Sequence, residues 1–498
     1  MLGSKGQRVD QRRGRAKRAP IFRTAVTGRV RHTWTAIAFL VLPAVGLLVT
    51  TGHSLASGGP VPGCIDGNDG LSSSPFVTGG SGTPDDPYVI EGWNLTLDGE
   101  KDIGICIVNT DVPFVVRDVR IEGTGASETY GAFLGNVSNA RVESSLIRGV
   151  QIAVLLEMTK NLTISGNSLL ESGVSGVRCN YPIYCGDREL SILDNEISGG
   201  GWLGAIFLRG YAITISGNRV GDGEVIIDSS EEVVIRGNLL KHADISMGMG
   251  SRRPRNITIA DNEITEGRDG VNVMYGVNLL IETNRIVSNW RNGIYVESSE
   301  NVTVTDNALL RNGIGTVLEN GETGRVVRNR FEENGVGVDS STSVAIAVHH
   351  NHFFRNGVQA LGGTDYFHTW DDGYPSGGNC WSDYGGEDWY RGPNQDQPGG
   401  DGIGDVSYEI PPVGRGVFDR YPLYDGCEFY AEVGARPAPV HTWNLSAERR
   451  RELSDPVPSV GDAGFHPVTS PIVLSPPGQV VIPSRVPFAE PRIAWARI

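Results

Sequence analysis

Aromatic and acidic side chains are concentrated in one stretch after residue 360. Three acids of this stretch, Asp365, Asp371 and Asp372, stand among aromatic residues. The candidates for a binding surface are Trp370, Tyr374, Trp381, Tyr384, Trp389 and Tyr390. Aromatic rings stack on sugar rings, and carboxylates accept hydrogen bonds from sugar hydroxyls. The stretch predicts a carbohydrate-binding surface, or the cap that closes the apolar end of a repeat fold, or both.

The same acids are weak candidates for catalysis. Glycoside hydrolysis requires two carboxyl groups that face each other across a cleft. Asp371 and Asp372 are adjacent, and adjacent side chains rarely converge. The motif sets of polygalacturonases and pectate lyases are absent. We therefore expect a non-catalytic binding protein, with a polysaccharide lyase or glycoside hydrolase as the alternative.

A glycine-rich segment offers oxygen ligands for a cation. It runs from Asn394 to Asp405 and contains Asp396, Asp401 and Asp405. Calcium takes six to eight oxygen ligands in flexible geometry, which closely spaced Asp and Asn side chains can supply. The spacing is not that of an EF-hand, and a plain Gly/Asp turn would have the same composition. We predict calcium here as a stabilising ion.

Three histidines cluster further up the chain, at His349, His350 and His352. We expect His350 and His352 to point outward at one corner of the repeat. Imidazoles so placed are ligands for copper or zinc. Histidines at an exposed corner are also often solvated without a metal. Of calcium and copper, copper is the less expected cofactor.

The element that must position these residues is a repeat. An asparagine returns at intervals of 20 to 28 residues, at Asn167, Asn195, Asn218, Asn238, Asn262, Asn284, Asn307, Asn329 and Asn351. Short runs of alternating apolar and polar residues flank each one. This period and alternation predict a parallel β-helix, an all-β solenoid whose turns stack on one another. The Asn amides are expected to point inward and to hydrogen-bond from turn to turn as a structural ladder.

Several properties of the fold follow from this pattern. We expect about 11–13 coils, wound right-handed as parallel crossovers usually are. Asn-Gly pairs such as Asn312-Gly313 mark a second turn in each coil. The outward positions of the strand after that turn are predicted to be Arg178, Ile206, Ser246, Asn272, Tyr295, Gly315 and Gly337. This row contains no acid, which again argues against catalysis.

The N-terminal region predicts export. Residues 1–32 are rich in Lys and Arg, residues 33–51 carry no charge, and Ser54-Leu55-Ala56 is a plausible cleavage site. Residues 1–56 are thus a signal peptide, or an N-terminal anchor that holds the protein to a membrane through residues 33–51. The net charge of −15 disfavours nucleic acid as a partner.

Six cysteines in an exported chain are compatible with disulfides. We expect Cys64 with Cys106, Cys179 with Cys185 and Cys380 with Cys427, although cysteine positions alone do not determine pairing.

Two motifs carry a resemblance to a family. Gly80-Ser-Gly-Thr-Pro-Asp-Asp-Pro87 resembles the opening motif of NosD-like β-helix proteins, and Gly378-Asn-Cys-Trp381-Ser-Asp383-Tyr384 resembles their closing motif. The similarity covers roughly residues 75–425. It implies a right-handed β-helix of the group that includes sugar hydrolases and sugar-binding proteins, and a family name taken from a periplasmic accessory protein of nitrous oxide reductase maturation. Relatives often have Tyr where this chain has Cys380, which supports a disulfide at that residue.

The sequence therefore predicts five segments. These are residues 1–56 (signal or anchor), 57–110 (N-terminal cap and first coil), 111–362 (repeats), 363–427 (C-terminal cap) and 428–498, which is rich in Pro and expected to be disordered. The predicted function is binding of a cell-envelope or environmental polysaccharide by a secreted or periplasmic protein. A surface-layer component and a copper-handling accessory factor remain as further alternatives.

Overall fold

Short alternating segments of this chain form three parallel sheets, which we call A, B and C. A computed structural model describes residues 63–99, 102–125, 128–179, 187–201, 203–250, 252–363, 368–414 and 416–424. Within them, each turn of chain adds one strand to each sheet, so neighbours in a sheet come from successive turns. The predicted parallel β-solenoid is confirmed. Sheet C, for example, contains 13 strands.

The strand bounds show the regularity of the coil. Sheet A comprises Ile65–Asp66, Ile103–Thr110, Tyr130–Glu143, Ile152–Glu157, Ser175–Cys179, Ile206–Leu208, Val225–Ile227, Ile245–Met247, Asp269–Met274, Asn292–Glu297, Ile314–Glu319, Val336–Asp339 and Val358–Leu361. Sheet B comprises Tyr88–Glu91, Phe114–Arg117, the second half of Tyr130–Glu143, Lys160–Ser165, Asp187–Leu193, Gly210–Ser216, Glu231–Arg236, Arg255–Ala260, Val277–Glu282, Glu300–Thr305, Gly324–Val327 and Ile346–His349. Sheet C comprises Asn94–Leu97, Arg120–Gly123, Leu146–Arg148, Ser168–Ser172, Glu196–Gly199, Arg219–Gly221, Leu239–Lys241, Glu263–Thr265, Arg285–Val287, Ala308–Leu310, Arg330–Glu332, His352–Phe354 and Cys380–Trp381.

The remaining elements lie at the two ends of the coil. A helix, Gly67–Ser73, precedes the first strand of sheet B and buries Leu71. After the last coil, Tyr390–Arg391 pairs antiparallel with Gln397–Pro398, and Tyr408–Glu409 pairs with Phe418–Asp419.

The core is made of stacked aliphatic side chains. In sheet B, Ile192, Ile215 and Ile235 are in register on successive turns, and each is at most 1% exposed. Residues between them, such as Thr214, face outward. Because the period of a strand is two, every second residue of each turn adds to one continuous apolar interior.

The asparagine ladder is also confirmed. Each ladder asparagine from Asn167 to Asn351 is buried. From Asn195 onward, Oδ1 accepts the backbone N–H and the side-chain N–H of the ladder asparagine one turn earlier, whereas Asn167 Oδ1 accepts the backbone N–H of Ser145. The Nδ2–Oδ1 distances are 2.9–3.1 Å. The ladder continues one step further to Asn379, whose backbone N–H donates to Asp419 Oδ2 at 2.7 Å. A carboxylate therefore terminates the ladder.

A second buried ladder runs through the Asn-Gly corners. Asn289, Asn312, Asn334 and Asn356 are linked by side-chain hydrogen bonds of 2.9–3.2 Å. The sequence predicted turns at these corners but not the ladder. Asn292 is not a member, since its Nδ2 donates to Asp269 Oδ1 at 2.7 Å.

The cysteines that the structure describes form disulfide bonds. The predicted Cys64–Cys106 bond is confirmed. Cys179 and Cys380 are each disulfide-bonded. Cys185 and Cys427 lie outside the described residues, so these two pairings stay predictions.

No helix in the described part of the chain is long and apolar enough to cross a membrane. The predicted signal or anchor segment, residues 1–56, lies outside that part, as does the Pro-rich segment 428–498.

Candidate functional site

The predicted aromatic surface is divided between core and solvent. Trp370 and Trp381 are 1% and 4% exposed and belong to the apolar core, so their assignment to a sugar-binding surface is wrong. Trp381 stacks between Phe353 and Tyr408, with ring centroids 4.3 and 4.2 Å away. The physical reason is the open end of the solenoid, which exposes apolar side chains that large rings can cover.

The other predicted rings differ among themselves. Tyr384 packs against the core, and its hydroxyl donates to the Val406 carbonyl at 2.7 Å. Trp389 is 68% exposed, and Tyr390 and Tyr374 are exposed as well. Asp405 accepts hydrogen bonds from the backbone N–H groups of Trp389 and Tyr390, which fixes that segment. Sugar binding by these three exposed rings stays a prediction.

The predicted catalytic acids do not form a pair. Asp371 accepts two hydrogen bonds from the Arg420 guanidinium, at 2.9 and 2.6 Å. Burial alone would raise the pKa of Asp371, but the hydrogen bonds from Arg420 outweigh it and lower the pKa. Asp372 accepts a hydrogen bond from Ser376 Oγ instead. Asp365 lies outside the described residues. Asp371 is therefore a structural ion-pair partner and a poor proton donor.

The predicted calcium ligands are already engaged. Asp405 binds two backbone N–H groups, and Asp401 binds the N–H groups of Gly392 and Ile403. Within the described residues, Asp396, Asp401 and Asp405 do not form a three-ligand cluster. Hydrogen bonds to backbone N–H groups account for Asp401 and Asp405 without an ion, and calcium stays a prediction.

The histidine cluster is only partly as predicted. His349 Nδ1 and His350 Nδ1 are 2.7 Å apart, and Asp372 joins them. His352 is not exposed at that corner: its ring is 9% exposed, in sheet C, and lies outside this group. The physical reason is that His350, with a φ of +56°, turns the chain between two sheets, so His352 begins a strand of sheet C and does not share the exposed corner.

The outer face of sheet A carries a row of aligned side chains, four of which the sequence predicted to face outward. Strand register aligns Arg178, Phe207, Ile226, Ser246, Asn272 and Tyr295 on six successive turns. We call this row the side-wall groove. At about 4.8 Å per strand, it extends about 24 Å along the coil.

The predicted composition of this face was wrong in three places. Ile206 lies in the core, and Phe207 takes the outward position. A Cβ at Gly315 or Gly337 would meet the inward rings of Phe331 or Phe353, so these glycines face the interior. Val317 and Asp339 occupy the outward row instead. The cause is that the corner places two inward residues in succession, Gly315 and Thr316, which shifts the alternation by one.

The side-wall groove contains buried polar atoms without hydrogen-bond partners. They are Arg178 Nε, Ser246 Oγ and Asn272 Oδ1. Ser246 is 1% exposed although its neighbours Ile245 and Met247, not Ser246, belong to the core. Burial lowers the pKa of Arg178. Nearly all buried polar groups in proteins are satisfied, so these atoms stand out. Each has almost no surface open to solvent, so a ligand would reach it only after the side chains that cover it move.

The groove is polar at the end where Tyr295 lies. Tyr295 donates to Glu319 Oε2 at 2.6 Å and also lies 3.2 Å from Glu297 Oε2. Burial, helped by these two acids, raises the pKa of Tyr295, so the phenol stays protonated. On the other border of the groove, Arg209 forms an ion pair with Asp228.

An acidic cleft borders the groove at the corner between sheets C and A. Its cavity measures about 290 Å³ and is lined by Asp222, Glu224, His242, Asp244 and Arg268 together with Gly200, Gly201, Gly204 and Gly223. His242 lies 3.1 Å from Asp222 and 2.9 Å from Glu266. Asp244 accepts the backbone N–H groups of Arg268 and Asp269, at 3.1 and 3.2 Å.

Asp244 is the perturbed group of the cleft. Its side chain is buried, and burial raises the pKa of Asp244 to about 6, with a further contribution from Glu224. A carboxyl that titrates near neutral pH can both give and accept a proton. Sequence reasoning missed this cleft, although a signal was present: Asp222, His242 and Glu266 each follow the sheet C strand of three successive turns.

Comparison with known proteins supports the resemblance seen in the motifs. Residues 193–386 match the family model described as periplasmic copper-binding protein (NosD). The match contains most of the side-wall groove, the acidic cleft and the His349–His350 pair. No curated protein matches the chain.

Solved structures share the solenoid. The Dettilon tailspike protein gp208 is 12% identical with a TM-score of 0.42, and the match covers 53% of this chain and 60% of the tailspike. The A-module of the Azotobacter vinelandii mannuronan C-5 epimerase AlgE4 is 15% identical with a TM-score of 0.41, covering 58% of this chain and 87% of the module. The periplasmic alginate epimerase AlgG is 14% identical with a TM-score of 0.31, covering 62% and 83%. At this level of similarity these structures indicate nothing about the ligand of this chain.

Proposed function

We propose that the protein is an exported β-solenoid that binds polysaccharide in the side-wall groove. The observation that supports this most is the row of buried polar atoms on Arg178, Ser246 and Asn272 that lack partners. A sugar hydroxyl is both donor and acceptor, so it can satisfy an arginine N–H, a serine hydroxyl or an amide oxygen in turn. These atoms lie on three of the six turns of the row, so a chain of sugars lying along the row would pass all three.

Apolar side chains complete a surface suited to sugars. Phe207 and Ile226 lie between Arg178 and Ser246 in the same row, with Phe207 half-buried and Ile226 buried. Sugar rings present C–H faces as well as hydroxyls, and such sites combine apolar contact with a few fixed polar groups. The groove lies on a parallel sheet whose strands are held on both sides, so binding requires little ordering of the protein.

The test measures direct binding of a panel of polysaccharides to the full chain, and compares the wild type with a variant of the protein that lacks one side-chain hydroxyl. Ser246→Ala removes the Oγ that would bond the sugar and adds no atom at this buried position. We expect at least a tenfold loss of affinity, because each lost hydrogen bond to a ligand in a buried site costs about 1.5 kcal/mol. The matched control is Thr258→Val, which removes a hydroxyl from the outward face of sheet B, and it should leave binding unchanged.

A double variant distinguishes binding in the groove from binding at the cap. Trp389→Ala combined with Tyr390→Ala removes the two adjacent exposed rings of the cap. If this double variant abolishes binding and Ser246→Ala does not, the sequence-based location is correct and the groove is not the site. If the wild type retains no polysaccharide at all, carbohydrate binding is refuted and a surface-layer role becomes the better explanation.

A second candidate function is cleavage of the bound polysaccharide. The raised pKa of Asp244, at the border of the groove, favours this alternative. Such a carboxyl can protonate a leaving oxygen, and Glu224 in the same cleft supplies a second carboxyl group. Shortened product chains that disappear in Asp244→Asn, with binding retained, would identify a lyase or hydrolase. Binding without shortened products would exclude this alternative.

A further inference from the structure

We propose that His349, His350 and Asp372 bind one divalent transition-metal ion at the junction of the last coils with the C-terminal cap. One ligand atom of each residue lies within 4.8 Å of the other two. His349 ends the last strand of sheet B, whereas Asp372 comes from the cap loop that follows it. An ion held by all three would join these two parts of the chain. This proposal is independent of carbohydrate binding.

The tautomer of His350 fits a metal ligand. Its Nε2 lies 2.9 Å from the carbonyl oxygen of Ser376. A carbonyl can only accept, so Nε2 carries the hydrogen and Nδ1 of the neutral ring has a free lone pair. Histidines that ligate metals usually donate their other N–H to a backbone carbonyl or a carboxylate, which fixes the ring. That arrangement is already present here.

The Asp372 carboxylate is oriented in a similar way. Ser376 Oγ donates to Asp372 Oδ2 at 2.8 Å, and the Asp372 N–H donates to the Gly377 carbonyl. Among the described residues, no hydrogen bond to the other carboxylate oxygen is formed. Ser376 thus holds both His350, through its carbonyl, and Asp372, through its hydroxyl.

The third ligand, His349, is largely buried at 7% exposure. Its Nδ1 shares one hydrogen with His350 Nδ1 across 2.7 Å. A metal ion would replace that shared hydrogen, with the hydrogen of His349 moved to Nε2.

The types of ligand indicate which ions fit. Imidazole nitrogens suit Cu(II), Ni(II) and Zn(II), and of these Cu(II) binds most tightly in the usual order. We therefore expect Cu(II) to bind more tightly than Ni(II) or Zn(II).

The experiment is titration of the full, disulfide-intact chain with Cu(II) after removal of metals by a chelator. Calorimetry gives the affinity and stoichiometry, and electron paramagnetic resonance reports the nitrogen ligands. His350→Asn keeps a residue that tolerates the positive φ of this position, and Asp372→Asn keeps an acceptor for Ser376. The control is His352→Gln, since His352 is outside the cluster.

We expect one tight Cu(II) ion per chain in the wild type and in His352→Gln, with coupling to two nitrogens. Affinity should fall at least tenfold in His350→Asn and in Asp372→Asn, and the nitrogen coupling should change only in the first. Thermal unfolding of each variant without metal checks that the cap is intact, and if His350→Asn fails this check, Asp372→Asn decides. The proposal is overturned if the wild type binds no tight Cu(II), or if a folded variant of His350 or Asp372 binds it as the wild type does.

Discussion

Removing one amide from the asparagine ladder should destabilise the solenoid strongly, and Asn284→Ala is the substitution that shows it. Asn284 Oδ1 accepts the backbone N–H and the side-chain N–H of Asn262, at 3.0 and 2.9 Å. Its Nδ2 donates to the carbonyls of Ile259 and Glu282 and to Asn307 Oδ1, at 2.8, 2.9 and 3.0 Å. Five hydrogen-bond contacts are therefore lost together, of which the three made by Nδ2 share its two hydrogens.

The magnitude follows from burial. A typical hydrogen bond contributes about 1 kcal/mol net, and a buried group left unpaired costs about 1–3 kcal/mol more. Asn284 is 1% exposed, and the Asn262 N–H loses its acceptor at a site that water does not reach. We expect a loss of about 4–6 kcal/mol in the free energy of unfolding, which is large for one substitution.

The matched control is an asparagine in an exposed ladder. Asn278 Nδ2 donates to Asn256 Oδ1 at 2.8 Å, and Asn278 accepts from Asn301 at 2.9 Å, both at the surface. Its φ of +58° makes glycine the appropriate replacement. Water can replace these hydrogen bonds, so Asn278→Gly should cost less than about 1 kcal/mol.

The assay must resolve local opening, because a solenoid can unfold turn by turn. Urea unfolding of the full chain followed by circular dichroism gives the overall change. Hydrogen exchange of peptides spanning residues 235–310 shows whether the turns next to Asn284 open first. Equal, small losses in Asn284→Ala and Asn278→Gly, with unchanged exchange, would refute the view that the ladder stabilises the fold.

Three further predictions concern the cap and the cleft. Burial raises the pKa of Asp419 to about 7. Such a carboxyl stabilises the fold below its unfolded pKa, near 4, and loses that contribution as the pH rises through 7. Urea unfolding at pH 5 and pH 8 should therefore show a smaller decline in the free energy of unfolding for Asp419→Asn than for the wild type, and an equal decline would contradict this. Trp381→Ala removes a ring buried between two others and should lower the free energy of unfolding by about 3–5 kcal/mol, with accelerated hydrogen exchange confined to the last coils. Trp389→Ala, at an exposed position, should change the free energy of unfolding by less than about 0.5 kcal/mol. Asp244→Asn removes a carboxyl whose pKa is raised to about 6 by burial, so it should make the protein more stable than the wild type at pH 8. It should make the protein no more stable at pH 3, where Asp244 is largely protonated in both the folded and the unfolded state; a stability difference that is the same at both pH values would show that Asp244 does not titrate as described.

The cap shows where composition misleads. The sequence identified an aromatic and acidic stretch, and the stretch is indeed where the core of the solenoid is closed. Composition cannot tell which face of a ring meets protein and which meets water, because that depends on the path of an irregular loop. Thus Trp370 and Trp381 are buried while Trp389 is 68% exposed. Asp371, similarly, has its partner in Arg420, which is 49 residues away in the sequence.

What the sequence by itself determined is the solenoid and its main ladder. A strand exposes alternate residues to one side, and a turn needs special residues, so a repeat of apolar alternation with one Asn per period has few other ways to bury its side chains. What only the tertiary structure decided is the set of neighbours between turns. The side-wall groove depends on register at corners, where a shift of one residue exchanges inside for outside. The acidic cleft and the His349–His350–Asp372 cluster join residues from different turns or from coil and cap, and their contacts are set by stacking and loop path rather than by local spacing.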